Sequence, residues 1–216
     1  QRQLNMDELE ALYLKADGTQ GSWNRSSFDN SKIPYHNNVY WSRYMNYEND
    51  SRNRIYGNVG LSYQILPQLK AQYKANLDFY VDKQYERNAV YSQELSAYKE
   101  SSRQQYELNH EFMLMYNQAF GDYSVTANLG ANIMQRHYEL IYGQTQGGLA
   151  IPLYYNLANS ITTPKAYNYK LEKGINSLFG DVTIGWKSML YLEATLRGDK
   201  SSTLPKSNNT YVYPSG

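Results

Sequence analysis

The sequence contains no cysteine, which excludes a disulfide framework and any thiolate-held metal. Its three histidines, His36, His110 and His137, lie far apart and show no metal-ligand spacing. Each reads as a surface or lumen side chain. Neither sign of charge dominates, since 21 basic residues stand against 20 acidic ones for a net of +1. Nucleic acid is therefore not an expected partner, because it selects a clustered basic surface. No run of about 18 apolar residues occurs, so no transmembrane helix is expected. The opening "QRQLNMDELE" lacks the charged-then-apolar pattern of a signal peptide and does not start with Met; an internal or processed piece is the expectation. Nowhere is there a nucleophile–base pair, a phosphate loop or a metal cluster, so neither an enzyme nor a cofactor is expected. A mean hydropathy of −0.73 suits a soluble protein. It does not exclude a membrane β-barrel, whose strands are only half apolar and whose loops are polar.

Tyrosine is the surplus, with 24 residues. It suits strands and places where one end of a side chain is apolar and the other wet. Both a carbohydrate-binding surface and the aromatic girdles of an outer-membrane barrel fit that surplus.

The clearest pattern is "LKAQYKANLDFYV", residues 69–81. Leu69, Ala71, Tyr73, Ala75, Leu77, Phe79 and Val81 alternate with Lys70, Gln72, Lys74, Asn76, Asp78 and Tyr80. A period of two predicts a strand with one greasy and one wet face. A helix would throw Ala71, Ala75 and Phe79 among the charges. Five further alternating sets begin at Ile55, Tyr106, Tyr123, Leu178 and Leu190. In the third strand, Glu107, Asn109 and Glu111 are wet-face residues, and Met113 and Met115 interrupt that face.

Connections between these six strands are unequal. Strands one and two meet at "LPQ", three and four at "NQAFGD", five and six around "WKSM", all short turns. Residues 82–103 and 139–173 are spent between the pairs, and a leader of about 51 residues precedes them. Short turn and long loop in alternation is the rhythm of an outer-membrane barrel. Thirteen residues at about 3.3 Å span about 43 Å, enough when tilted to cross an apolar band of about 25 Å. Six strands would enclose a ring only about 12 Å across, too narrow to close. The expected fold is all-β, an antiparallel up-and-down transmembrane β-barrel segment within a larger barrel, its greasy face on outer-membrane lipid. Residues 1–51 are expected to form a long extracellular loop region with a short helix, Asn5 capping it, and residues 52–216 a partial barrel wall of three hairpins and two long loops.

Residues 175–215, "INSLFGDVTIGWKSMLYLEATLRGDKSSTLPKSNNTYVYPS", resemble the SusC/RagA family of TonB-linked outer-membrane transporters. A strand like "NSLFG" there precedes "YLEAT", an R-x-D-x-SS stretch (Arg197, Asp199, Ser201 and Ser202 here) and a Tyr-Pro-Ser close. Residues 40–65 also look like the family's first strands after a long loop. The resemblance implies a barrel of roughly 22 strands in the outer membrane of a Gram-negative bacterium. It implies a TonB-dependent active importer of glycan oligomers or peptides, working with a SusD-like surface lipoprotein as lid. TonB would act through a plug domain that, like a signal peptide and a terminal strand, is not visible in this sequence.

Aromatic faces at an extracellular mouth could stack on sugars, which makes Tyr40, Trp41, Tyr44, Tyr154 and Tyr155 candidate substrate contacts; packing of the loops competes with that role. The "RGD" at 197–199 invites an adhesion reading, but the family pattern makes Arg197 and Asp199 lumen or rim residues. The alternatives are a soluble all-β carbohydrate-binding module, or a passive porin or adhesin. A chain that stays monomeric without detergent and binds glycans would favour the first of these.

Overall fold

The computed structural model describes residues 4–216; the first three residues of the expected leader lie outside the described residues. Two short helices come first, α1 at Met6–Leu12 and α2 at Val39–Tyr44. Asn5 caps α1 as expected, its side chain accepting from the Asp7 and Glu8 amides, and that acidic first turn suits the helix dipole. The strands follow: β1 Glu48–Leu66, β2 Leu69–Asn88, β3 Ala97–Phe120, β4 Tyr123–Leu149, β5 Ser160–Trp186, β6 Leu190–Ser201 and β7 Thr210–Ser215. Among the described residues these seven form one antiparallel sheet in the order β1-β2-β3-β4-β5-β6-β7. Each strand lies beside its sequence neighbour, the up-and-down topology expected. No helix among the described residues is long and apolar enough to cross a membrane.

Two features differ from the sequence expectation. A seventh strand, Thr210–Ser215, pairs with β6, where only six were expected. It is six residues long and ends in "YPS", too short to show a period, and its Pro214 lacks an N–H as an edge strand tolerates. The long connections are also mostly strand. The stretch expected to loop over 82–103 narrows to 89–96, and that over 139–173 to 150–159. These extensions are either largely polar on both faces, as in 82–88 and 97–103, or carry apolar residues in succession, as at Leu140 and Ile141, so alternation cannot reveal them. Ladder bonds and cross-strand pairs carry them instead, among them Lys99 to Glu86 at 2.7 Å and Arg103 to Gln84 at 2.8 Å.

The register of β5 and β6 explains the alternation. Leu178 lies opposite Gly198, Gly180 opposite Leu196, Val182 opposite Ala194, Ile184 opposite Leu192 and Trp186 opposite Leu190. Directly opposed residues share a face, so from Leu178 to Trp186 one face is wholly apolar, giving way to Asn176 and Lys200 at the ladder's far end. The other carries Asp181 with Thr195 and Thr183 with Glu193. Val212 and Pro214 of β7 extend the apolar row.

The chain divides into two compact units. One comprises residues 1–52, 82–103 and 140–169, and it holds the buried apolar residues Leu9, Ile33, Trp41, Ala89 and Leu149. The other comprises 53–81, 104–139 and 170–216. Among the described residues this second unit buries no apolar side chain; Val59 is 66% exposed and Leu192 71%. A β-sandwich would bury such a face between two sheets. Among the described residues the apolar row of this unit stays exposed.

Candidate functional site

The sheet unit presents a polar face laced by cross-strand pairs. Arg54 of β1 makes two bonds to Asp78 of β2, at 2.8 and 2.7 Å. Arg136 of β4 binds Glu107 of β3 at 2.6 Å, and Asn132 donates to Asn109. Asn128 reaches Asp181 on β5 at 2.8 Å. Alternation brings these side chains to one face, because residues two apart along a strand point the same way. Asn76, Asp78, Glu107 and Asn109, wet-face residues expected from the sequence, meet Arg54 here and line one shallow hollow of about 310 Å³.

Arg197 and Asp199 belong to this face. The guanidinium bonds Asp199 at 2.9 and 3.1 Å and Ser177 at 3.1 Å. Both sit mid-strand on β6, opposite Tyr213 and Tyr211, so the "RGD" is strand wall and not an exposed loop. Ser201 and Ser202 close the end of the β5–β6 ladder. Ser202 exchanges bonds with Gly174, its amide donating at 2.9 Å and its hydroxyl accepting at 2.8 Å, while the Ser201 hydroxyl meets Thr203 at 2.9 Å.

His110 stands in the apolar row of β3, its Nδ1 2.6 Å from the Tyr73 hydroxyl on β2, the two rings stacked at 6.0 Å. A polar pair that satisfies itself can sit on an apolar face. His137 lies among Tyr106, Glu139 and Glu172, stacked on the first at 5.3 Å and 3.3 Å from the last.

The loop unit holds the aromatic candidates, and the structure separates them. Trp41 is 1% exposed and its indole N–H donates to Ser92 at 2.9 Å. That side chain packs the loop unit. Tyr40 and Tyr44 stack at 6.2 Å, with Tyr13 against Tyr44. Tyr155 and Tyr47 flank the Arg87 guanidinium at 4.7 and 3.7 Å, where cation–π attraction holds all three. Tyr154 is half exposed and its carbonyl is clamped by Asn159 at 2.6 Å. Tyr40 and Tyr44 are thus brought together on one side, Tyr155 on an arginine.

Sequence reasoning missed the residues that build this unit. Asn38, fully buried, donates to the Leu9 and Gly21 carbonyls, both at 2.7 Å, and accepts from the Tyr40 amide. Gln20 donates to Asn37 and to the Tyr91 carbonyl. Amides in polar loops carry no periodic signal, so nothing marked them. Charges on the strand extensions are also engaged. The Glu86 carboxylate raises the pKa of Lys99, and burial, then the Glu100 carboxylate that accepts its O–H, pushes Tyr98 up.

No family description and no curated protein matches this sequence. Solved structures do match its fold. A RagAB peptide transporter structure aligns over 92% of the chain with a TM-score of 0.73 at 15% identity. RagAB peptide importer structures in the closed-closed and open-open states give TM-scores of 0.77 and 0.73 at 14% and 15% identity. In each case this chain spans 22% of the matched one. At such identity the likeness concerns the fold: a stretch of up-and-down strands like part of the RagAB chain.

Proposed function

We propose that this chain forms wall and exterior loops of an outer-membrane β-barrel that imports its substrate actively. The carrying observation is the sheet unit, whose long strands display an apolar row with no protein core to cover it. Lipid is the solvent that such a row suits, and in lipid only closed barrels satisfy a sheet's backbone groups. Among the described residues β1 and β7 each have one neighbour in the sheet, so further strands would complete the ring. The fold shared with RagAB and the closing motif from Asn176 to Ser215 both support a transporter of the SusC/RagA type. In that reading a SusD-like lipoprotein captures substrate at the loops, the polar face lines the lumen or meets a plug, and TonB drives the plug aside. The RagAB structures are of a peptide importer, which favours peptides over glycans as cargo. The soluble carbohydrate-binding alternative loses support, because its sheet would need a buried apolar face.

Topology tests the reading. This sequence has no cysteine, so a single introduced thiol is the only one it offers to a label. Gln93→Cys and Ala158→Cys should be labelled on intact cells by a membrane-impermeant maleimide. Met189→Cys, in a short turn, should be labelled only after the outer membrane is opened. Labelling of Met189→Cys on intact cells would contradict the proposed orientation.

A further inference from the structure

Three residues with left-handed backbone, from three separate segments, line one cleft of the loop unit: Gly18 (φ 79°), Tyr91 (φ 73°) and Leu153 (φ 63°). Two of them are bulky, and strained backbone under large side chains clusters at ligand-binding places. Both are pinned. The Tyr91 carbonyl accepts from the buried Gln20 amide at 2.8 Å, and Asn159 clamps the Ile151 and Tyr154 carbonyls on either side of Leu153. The cleft holds about 340 Å³, within the range of small-ligand sites. Its other walls include Leu14, Trp41 and Pro152.

Lys15 supplies the charge of the lining. It is half-buried and has no ion-pair partner among the described residues. Asp17, two residues on, is held chiefly by Thr19, whose hydroxyl donates at 2.6 Å and whose amide donates at 2.9 Å, and it lies near enough to feel the Lys15 charge without touching it. Among the described residues no carboxylate or side-chain amide lines the cleft, so sugar hydroxyls would find few of their usual partners. An apolar hollow beside an ammonium that no carboxylate touches complements a large apolar group next to an anion.

We propose that this cleft takes the last residue of an unfolded peptide, with a large apolar side chain in the hollow and the terminal carboxylate on the Lys15 ammonium. The inference rests on the exterior placement of these loops in an importer, and it names a feature of the cargo.

Equilibrium dialysis on the detergent-solubilised complete barrel tests it, using acetyl-Gly-Ser-Gly-Phe as free acid, the same peptide as its amide, and acetyl-Gly-Ser-Gly-Ser as free acid. The Phe acid should bind at least tenfold more tightly than either comparison peptide. Lys15→Gln should bring the acid down to the level of the amide while leaving the amide unchanged. Leu153→Ala should weaken acid and amide alike. Equal binding of acid and amide by the unaltered chain, or a tenfold ratio that survives in Lys15→Gln, would overturn the proposal. So would displacement of the Phe acid by maltohexaose, which would make the cleft a glycan site. Should the peptides fail while Gln93→Cys is still labelled on intact cells, the cleft proposal falls and the barrel reading stands.

Discussion

Phe179 breaks the alternation, an aromatic ring on the polar face of β5 opposite Arg197. Its ring covers Gly130 on β4, where a Cβ would come within 2.3 Å of it, and Arg197 rests 5.6 Å from the ring centre. A glycine bare of side chain leaves a gap in a strand, and an aromatic neighbour fills it. Gly130→Val should therefore cost about 1–3 kcal/mol through overpacking, read as a lower urea midpoint in vesicles. The same change in a Phe179→Ala background should cost distinctly less. Equal costs in both backgrounds would show that the two sites do not touch. Gly130 and Phe179 were each legible in the sequence, one as a wet-face residue and the other inside "NSLFG". Their partnership was not, because it depends on the β4–β5 register that no local pattern encodes.

At the level of elements, the turn between β5 and β6 is built from residues ill suited to it. Lys187 and Ser188 both have positive φ, at 50° and 57°, and the Met189 amide closes the turn on the Trp186 carbonyl at 2.9 Å. Such primed turns match strand twist but favour Gly and Asn. Ser188→Gly should stabilise the hairpin by about 1 kcal/mol, seen as a higher urea midpoint; an unchanged or lower midpoint would count against this turn geometry. The leading segment makes a second element-scale claim. Asn38→Ala strips partners from two carbonyls and one amide, each worth about 1 kcal/mol or more when buried. Proteolysis within residues 4–46 should quicken while far-UV circular dichroism of the strands stays unaltered. If cleavage stays slow, Asn38 is not the clamp. Strand centres were legible because one face alternates sharply, as in residues 69–81. Strand ends were not, since Lys99 and Arg103 lie in a stretch polar on both faces and Tyr142 follows Leu140 and Ile141 without alternation, so pairing alone decides.

For the molecule as a whole, composition and alternation reached the fold class, the short turns and the apolar row. The loop unit was read only as a leader with a short helix, because its core consists of a few scattered residues, Leu9, Ile33 and Trp41, tied by buried amides. Trp41 shows the cost of reading aromatics by type alone: in sequence it resembles a sugar platform, in the fold it is packing. What unites both units with a transport role is the claim that the even-numbered row of β6 meets lipid. The direct measurement is a nitroxide scan of residues 191–196 in the complete barrel reconstituted in vesicles, comparing collisions with oxygen and with a nickel chelate. Lipid exposure predicts a period of two, with Leu192, Ala194 and Leu196 oxygen-accessible and Tyr191, Glu193 and Thr195 chelate-accessible. Six positions with no alternation, or with the two faces exchanged, would contradict it.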